Sequence, residues 1–195
     1  VVEIDKQNQE SIRIRINSTR DFRLVGGNTC YLFVQTHGII NFRQVVSLSD
    51  EGTVVSMPRN ILIPGINHIT LFSEAGKPVF ERLLYTPYSK TGNLNIATSE
   101  NFKSREKIQL GVEIKNGSAA SENFHGLSIS VAPERGNSFP GIDDYMIFGS
   151  EFGVLSDGLL KSILNGAPAD SVDKFILAMK SSWIDWNKIL SGALP

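Results

Sequence analysis

The sequence predicts a mainly β protein made of two tandem antiparallel β-sandwich units, the second of which ends in a helical segment. Three observations lead to this prediction. Roughly the first 85 residues hold six or seven short apolar runs separated by turn residues, a spacing typical of antiparallel sandwiches. Proline, glycine and small polar residues interrupt this pattern at 86–92. Beyond about residue 144, apolar residues recur at helical spacing.

Composition and charge bound the class of protein. The chain has 195 residues, of which 41% are hydrophobic and 20% charged, so it can bury a core and wholesale disorder is excluded. Its net charge of −1 argues against a general electrostatic grip on nucleic acid or an anionic membrane. No apolar run approaches the roughly 18–20 residues that span a bilayer. The start shows neither an initiator Met nor a signal-peptide pattern, so we expect a piece of a longer chain or a processed form.

The first predicted strand covers residues 11–17, where isoleucine and arginine alternate. Successive side chains of a strand point to opposite faces, so the three isoleucines should be buried together. Arg13 and Arg15 then form the solvated face of the strand rather than an anion-binding patch.

The next elements follow from turn residues and β-branched runs. Residues 21–28 contain two adjacent glycines and are interpreted as a turn. The further strands are expected at 29–35, 39–48 and 53–57, with a tight connection at 36–38, a turn at 50–52 and a loop at 58–64.

A β-hairpin closes the predicted first unit. Its strands are expected at 65–72 and 79–85, and Glu74–Lys77 supplies the turn. Pro78 lacks a backbone N–H, so it belongs at the start of a strand rather than inside one. Ile69 and Leu71 should point into the core.

The first domain is therefore predicted at 1–87 and the second at 93–195. Strands of the second unit are expected at 94–96, 106–115 and 127–131, and helices between about 144 and 190, including one at 156–165. The last helical stripe consists of Val172, Phe175, Ile176, Met179 and Trp183. Trp183 fits that buried stripe, which leaves Trp186 as the tryptophan free to bind a partner.

No recognised catalytic motif is present in the sequence. P-loop, dinucleotide-binding, HExxH, GxSxG and CxxC patterns are missing, and the single cysteine, Cys30, is interpreted as a small core residue. His37, His68 and His125 are far apart and lack the spacing of metal ligands. The adjacent Asp143 and Asp144 fit a helix start better than a calcium loop. We therefore expect no catalytic, cofactor or metal site, and no enzyme.

Several stretches resemble one family. "LIPGINHITLFSEAGKPVFERLLY" (62–85) resembles the hairpin signature of macroglobulin-like, MG2-type domains, found in cell-envelope proteins of Bacteroidetes and often linked to TonB-dependent receptors. "YLFVQTHGIINFRQVVSL" is similar to the central strands of the same domain, and "SREKIQLGVEIKNG" and "LSISVAP" to strands of a following module. "DKFILAMKSSWIDWNKILSG" resembles a closing segment, although Lys180–Trp183 departs from its usual Gly-Trp-Arg-Arg arrangement.

The resemblance implies two tandem Ig-like or macroglobulin-like sandwiches without catalytic residues. Cys30 lies between Thr29 and Tyr31 rather than in a Cys-Gly-Glu-Gln thioester run, so covalent trapping of proteases is not implied. It also implies a non-enzymatic structural or protein-interaction module in the periplasm or at the outer membrane, with a protein partner in the cell envelope.

Two alternatives belong to other classes. A carbohydrate- or peptide-binding module would bind through loops or an open sheet edge, and Tyr88, Trp186 and the loop 134–144 are its candidate binding residues. A hydrolase would need a pocket that joins His125 or His37 to a carboxylate and a serine.

Overall fold

The structure is a computed structural model that describes residues 1–87, 93–98, 107–115, 142, 145–153, 155, 158 and 169–192. The chain divides into two compact units. One unit combines Val1–Pro87 with Asn137–Pro195, and the other is Tyr88–Gly136.

The first unit contains seven strands and a short helix before residue 87. They are β1 (Val2–Asp5), β2 (Ser11–Ile16), α1 (Arg20–Gly26), β3 (Thr29–Thr36), β4 (Ile39–Ser47), β5 (Thr53–Pro58), β6 (Gly65–Ser73) and β7 (Pro78–Thr86), with a 3₁₀ turn at Arg59–Ile61. Its later part holds a π-helical turn, Tyr145–Gly149, that runs into α2 (Ser150–Phe152), followed by α3 (Ala169–Ala178) and α4 (Trp186–Leu190). In the second unit, β8 (Asn93–Ala97) pairs antiparallel with β9 (Gly111–Lys115).

Two antiparallel sheets form a sandwich-like arrangement in the first unit. One sheet has the order β1-β2-β5 and the other β4-β3-β6-β7. Alternate residues of both sheets meet in one core, which includes Ile12, Ile14, Ile16, Val55 and Met57 from the smaller sheet and Cys30, Leu32, Val34, Val46, Ile69, Leu71 and Leu84 from the larger. The predicted inward faces of β2, which was the first predicted strand, and of the hairpin β6–β7 are confirmed. The protein is mainly β, as expected.

Strand β6 and part of β7 in the larger sheet are buried on their other face as well. Ile66 and Leu83 pack there against Phe148, Val172 and Ile176 of the helical segments. All nine residues of β6 are buried as a result. This sheet is the middle layer of the unit, between the smaller sheet and the helices.

The hairpin β6–β7 has the predicted form. The chain reverses between Ser73 and Pro78, which is the first residue of β7. The amide of Ser73 donates to the carbonyl of Lys77 at 2.8 Å, and that of Gly76 to the carbonyl of Ser73 at 2.9 Å.

The predicted turn at 21–28 is wrong, because α1 occupies most of it. The hydroxyl of Thr19 caps this helix by accepting from the amide of Phe22 at 3.2 Å, and Asp21 adds a carboxylate at its positive end. Gly27, at φ 83°, ends it in a conformation that favours glycine. Helix α1 buries no residue, so its sequence shows no apolar stripe that would predict a helix.

The division into units differs from the predicted domains. The helical segments belong with the first sandwich, whereas the prediction grouped them with residues 93–195. The cause is the apolar seam on Ile66 and Leu83, which the helices cover. In the second unit the strand begins at Gly111 rather than 106, and Ile108 and Leu110 before it are exposed. The strand 127–131 and most of the helix 156–165 lie outside the described residues.

Candidate functional site

The two residues predicted to bind a partner have different outcomes. Tyr88 lies outside the described residues. Trp186 begins α4, whose first turn is capped by the carboxylate of Asp185. The indole ring of Trp186 meets the ring of Phe72 edge-on at 4.9 Å, and its Nε1 donates to Glu81 Oε1 at 3.2 Å. Trp186 is therefore fixed on the outer face of the larger sheet.

Trp183 is a correction to the predicted buried stripe. Helix α3 ends at Ala178, so Trp183 is not on it, and 49% of its surface is exposed. After the helix ends, the amide of Ser182 donates to the carbonyl of Glu151 at 2.6 Å. The ring of Trp183 lies edge-on to His37, with ring centroids 5.7 Å apart.

His68 is the centre of the one cluster of buried charge among the described residues. It lies on the helix-facing side of β6, opposite Leu83 in the register, and is fully buried. Its Nε2 is 3.0 Å from both carboxylate oxygens of Glu151, and its Nδ1 is 3.4 Å from Glu81 Oε1. One imidazole ring thus joins a carboxylate of α2 to a carboxylate of β7.

Both the carboxylate and the backbone carbonyl of Glu151 accept hydrogen bonds. Its carboxylate also accepts from the hydroxyl of Ser181 at 2.5 Å, and its carbonyl accepts from the hydroxyl of Ser182 at 2.9 Å as well as from the Ser182 amide. The amide of Trp183 donates to Ser181 Oγ at 3.1 Å. We refer to residues 181–183 as the serine segment. It binds Glu151 through two side chains and one backbone group.

The cluster favours the charged forms of both partners. Burial alone would lower the pKa of His68, but the hydrogen bonds and charges of Glu151 and Glu81 outweigh it and raise the pKa to about 9. Burial would raise the pKa of Glu151, yet the hydrogen bonds from His68 and Ser181 and the charges of His68 and His37 hold it below its ordinary value. At neutral pH the pair is an imidazolium and a carboxylate.

A second ionic contact ties α3 to the rim of the sandwich. Asp173 accepts from Lys6 Nζ at 2.6 Å and from an Arg82 Nη at 2.7 Å. Lys6 follows β1 and Arg82 lies on β7, so one helical carboxylate bridges both sheets. The three side chains are partly exposed, and an exposed ion pair of this kind contributes at most about 1 kcal/mol.

The buried cluster differs from the serine–histidine–carboxylate triad of a serine hydrolase. In a serine hydrolase the serine hydroxyl bonds the histidine, which takes its proton. Here Ser181 donates to Glu151, and both nitrogens of His68 face carboxylates. The polar groups of the cluster bind one another and thereby connect the sheet, α2 and the serine segment. Within the described residues, no group of three or more His, Cys, Asp or Glu side chains is arranged so that it could hold a metal ion.

The other residues considered in the sequence analysis lie outside the buried cluster. Cys30 is buried in the sandwich core, where burial first and the charge of Glu74 second raise the pKa of its thiol. Arg13 and Arg15 are exposed as predicted, and the register places them opposite Asp5 and Glu3. His37 lies in the tight turn between β3 and β4. His125, Asp143 and Asp144 are outside the described residues.

Sequence reasoning missed the roles of His68 and Glu151. The sequence places His68 on the first strand of the predicted hairpin and gives it no ligand spacing. One signal was present: Asn67 and His68 interrupt an apolar run, and both are fully buried. Buried polar groups need partners, so two consecutive polar residues in such a run predict partners on both faces of the sheet.

Asn67 meets that expectation on the sandwich side. Its carbonyl oxygen accepts from the hydroxyl of Thr36 at 2.8 Å, and its amide nitrogen donates to the carbonyl of Ile63 at 2.8 Å. Asn67 and His68 therefore fix β6 through opposite faces.

Comparisons with known proteins give no family for the chain. No family model matches it, and no curated protein matches it either. Among the described residues, the structure has no helix with the length and apolar character needed to cross a membrane.

Proposed function

We propose that this chain is a non-enzymatic structural or protein-interaction module of a larger bacterial cell-envelope protein. In this proposal it is a macroglobulin-like module, built as tandem Ig-like units, in the periplasm or at the outer membrane beside a TonB-dependent-receptor-like system. The resemblance of residues 62–85 to the MG2-type hairpin motivates the family and the location. In the structure that stretch supplies β6, a central strand of the larger sheet, and β7, the edge strand beside it.

One observation carries the non-enzymatic part of the proposal. His68 and Glu151 are ionisable groups with perturbed pKa values, and such groups in a protein of unknown function are the first candidates for catalysis. Their polar atoms are taken up by each other, by Glu81 and by Ser181. A cluster of this kind fixes a helical layer on a sheet, which suits a rigid scaffold.

The experiment is affinity capture from cell-envelope extract with the full chain as bait and chemical cross-linking before washing. We expect a defined envelope protein to be retained. The matched control is Ile69→Asp, which places an unpaired charge in the sandwich core and should unfold the bait. Retention of the same proteins by both baits, or turnover of a substrate by the purified chain, contradicts the proposal.

A carbohydrate- or peptide-binding module is the second candidate. The favouring observation is Trp183, which is half exposed beside His37, with Trp186 three residues further on. Aromatic rings of this kind can stack on sugars or on peptide side chains. Titration with soluble polysaccharides should then change tryptophan fluorescence in the wild type and in Trp186→Phe, but much less in Trp183→Ala.

A further inference from the structure

Among the strands that the structure describes, four lie at the edges of the two sandwich sheets, and they differ in length, charge and cover. An edge strand presents unpaired backbone N–H and C=O groups, and natural proteins shorten, charge or cover such edges. β1 is four residues long and carries exposed Glu3 and Asp5. β5 is six residues long and ends in Pro58, which has no N–H to donate. β7 is covered by α3 and tied to it by Asp173.

β4 is the exception. It is nine residues long, contains no proline, and pairs with β3 alone among the described strands. A bulge opposite Val34 and Gln35 interrupts its first part, so the regular stretch is Phe42–Ser47. Six residues match the usual length of a strand in a globular protein. β4 therefore has the length and the free backbone that a further strand requires.

The side chains of β4 also suit strand addition. Val45 is exposed on its helix-facing side, opposite Tyr31, and Ile40 is exposed on the same side. β-branched side chains are favoured in strands because they pack well against cross-strand neighbours. Arg43 lies between them, is exposed, and has no ion pair within the described residues. On this side an added strand would meet a row of three side chains, the apolar Ile40, the cationic Arg43 and the apolar Val45.

The position of Arg43 decides between two occupants. It is the middle residue of β4, so antiparallel pairing of two copies that is centred on the whole strand brings the two guanidinium groups opposite each other. Like charges at these positions destabilise a sheet. A strand that carries a carboxylate at the matching position is favoured instead.

We infer that the regular part of β4, residues 42–47, binds an extended segment of a partner protein by strand addition. The segment would place a carboxylate opposite Arg43 and β-branched residues beside Val45. Backbone hydrogen bonds then supply affinity, and Arg43 with its neighbours supplies specificity. This inference rests on the proposed function, because it names the docking surface of the interaction module.

The probe is a labelled peptide, acetyl-Thr-Val-Thr-Val-Glu-Val-Thr-Val-Thr-amide, titrated into the full chain and followed by fluorescence anisotropy. A second peptide has Lys in place of the central Glu. The wild type should prefer the Glu peptide by about fivefold, the ratio that an exposed ion pair of up to about 1 kcal/mol gives. Arg43→Glu should reverse this preference. Hydrogen exchange should show new protection of the amides of 42–47.

Three results would overturn the inference. They are equal binding of both peptides, protection elsewhere than β4, and dimers of the wild type in sedimentation that Arg43→Glu abolishes. A separate capture experiment distinguishes this failure from that of the proposed function. If Arg43→Glu retains the same envelope protein as the wild type, the interaction module stands and the edge is not its docking surface.

Discussion

His68 and Glu151 show how one buried pair can decide the position of a whole layer. Removing two charges from water is costly, and their attraction offsets the cost only with good geometry and further hydrogen bonds. The 3.0 Å contacts, Glu81 and Ser181 provide these. The net contribution of such a pair relative to apolar residues is small, but the loss of one partner alone is expensive. The pair therefore selects one arrangement more than it adds stability.

That asymmetry gives the first prediction. His68→Leu leaves Glu151 buried without its cation, and we expect the free energy of unfolding to fall by about 3–5 kcal/mol. The double variant His68→Leu with Glu151→Leu should recover much of the loss, because no buried charge remains. Urea unfolding of the wild type and the variants measures both values. Equal destabilisation of the single and double variants would show that the two residues are not coupled.

The second prediction concerns pH. The pKa of His68 is about 9 in the folded chain and near 6.5 in the unfolded one, so its contribution is complete below about 6.5 and is lost as pH rises through 9. At about 1.4 kcal/mol per pKa unit the loss is on the order of 3 kcal/mol. Glu151 has a lowered pKa, so its contribution is present above about 4.5 and is lost on acidification.

Thermal unfolding between pH 5 and 10 measures this dependence. The melting temperature should decline between about pH 6.5 and 9 in the wild type. The control is His68→Gln with Glu151→Gln, which keeps hydrogen-bonding groups but removes the titrating pair. A decline of equal size in this variant would assign the effect to other groups.

Strands and helices were predictable where one face of the element is in water. The isoleucines of β2 alternate with exposed arginines, so the sequence pattern and the burial agree residue by residue. β6 is buried on both faces, and its facing toward the helices could not be read from alternation. The predicted burial of Trp183 was wrong for another reason. Its spacing continues the apolar stripe of α3, but the helix ends at Ala178, and the amide of Ser182 then donates to the carbonyl of Glu151. Periodicity detects local pattern and contains no information on distant partners.

Helix α3 offers a matched pair of adjacent residues for the third prediction. Ile176 is 1% exposed and packs on the outer face of β6–β7, whereas Leu177 is 56% exposed. We expect Ile176→Ala to cost about 2–5 kcal/mol, because it removes buried methyl groups and leaves a cavity. Leu177→Ala should stay within about 0.5 kcal/mol of the wild type. Chemical unfolding compares them, and similar losses would mean that α3 is rotated from the position described.

At the scale of the molecule, the helical segments and the first sandwich form one unit although other residues separate them in the chain. Ile66 and Leu83 meet Phe148, Val172 and Ile176 across more than 60 positions of sequence. The sequence changes character after Pro87, where proline, glycine and small polar residues follow the predicted strands. It could not indicate that the chain returns to the same sheet, because the closing contacts involve ordinary apolar residues. A domain boundary and the end of a folding unit are different features in this protein.

The fourth prediction follows from this organisation. A fragment of residues 1–87, the domain suggested by the sequence, would expose Ile66, His68 and Leu83 on the uncovered face of β6–β7. An apolar sheet face without its cover promotes association, so the fragment should aggregate or melt well below the full chain. Replacing Ile66 and Leu83 by Thr should make the fragment more soluble and the full chain less stable, because the same positions are wet in one and buried in the other. Light scattering measures the solubility of the fragment, and circular dichroism measures the stability of the full chain. A gain in the first together with a loss in the second is expected only if the helices cover this sheet face. A fragment 1–87 that melts at the temperature of the full chain would show that the sandwich is complete without them.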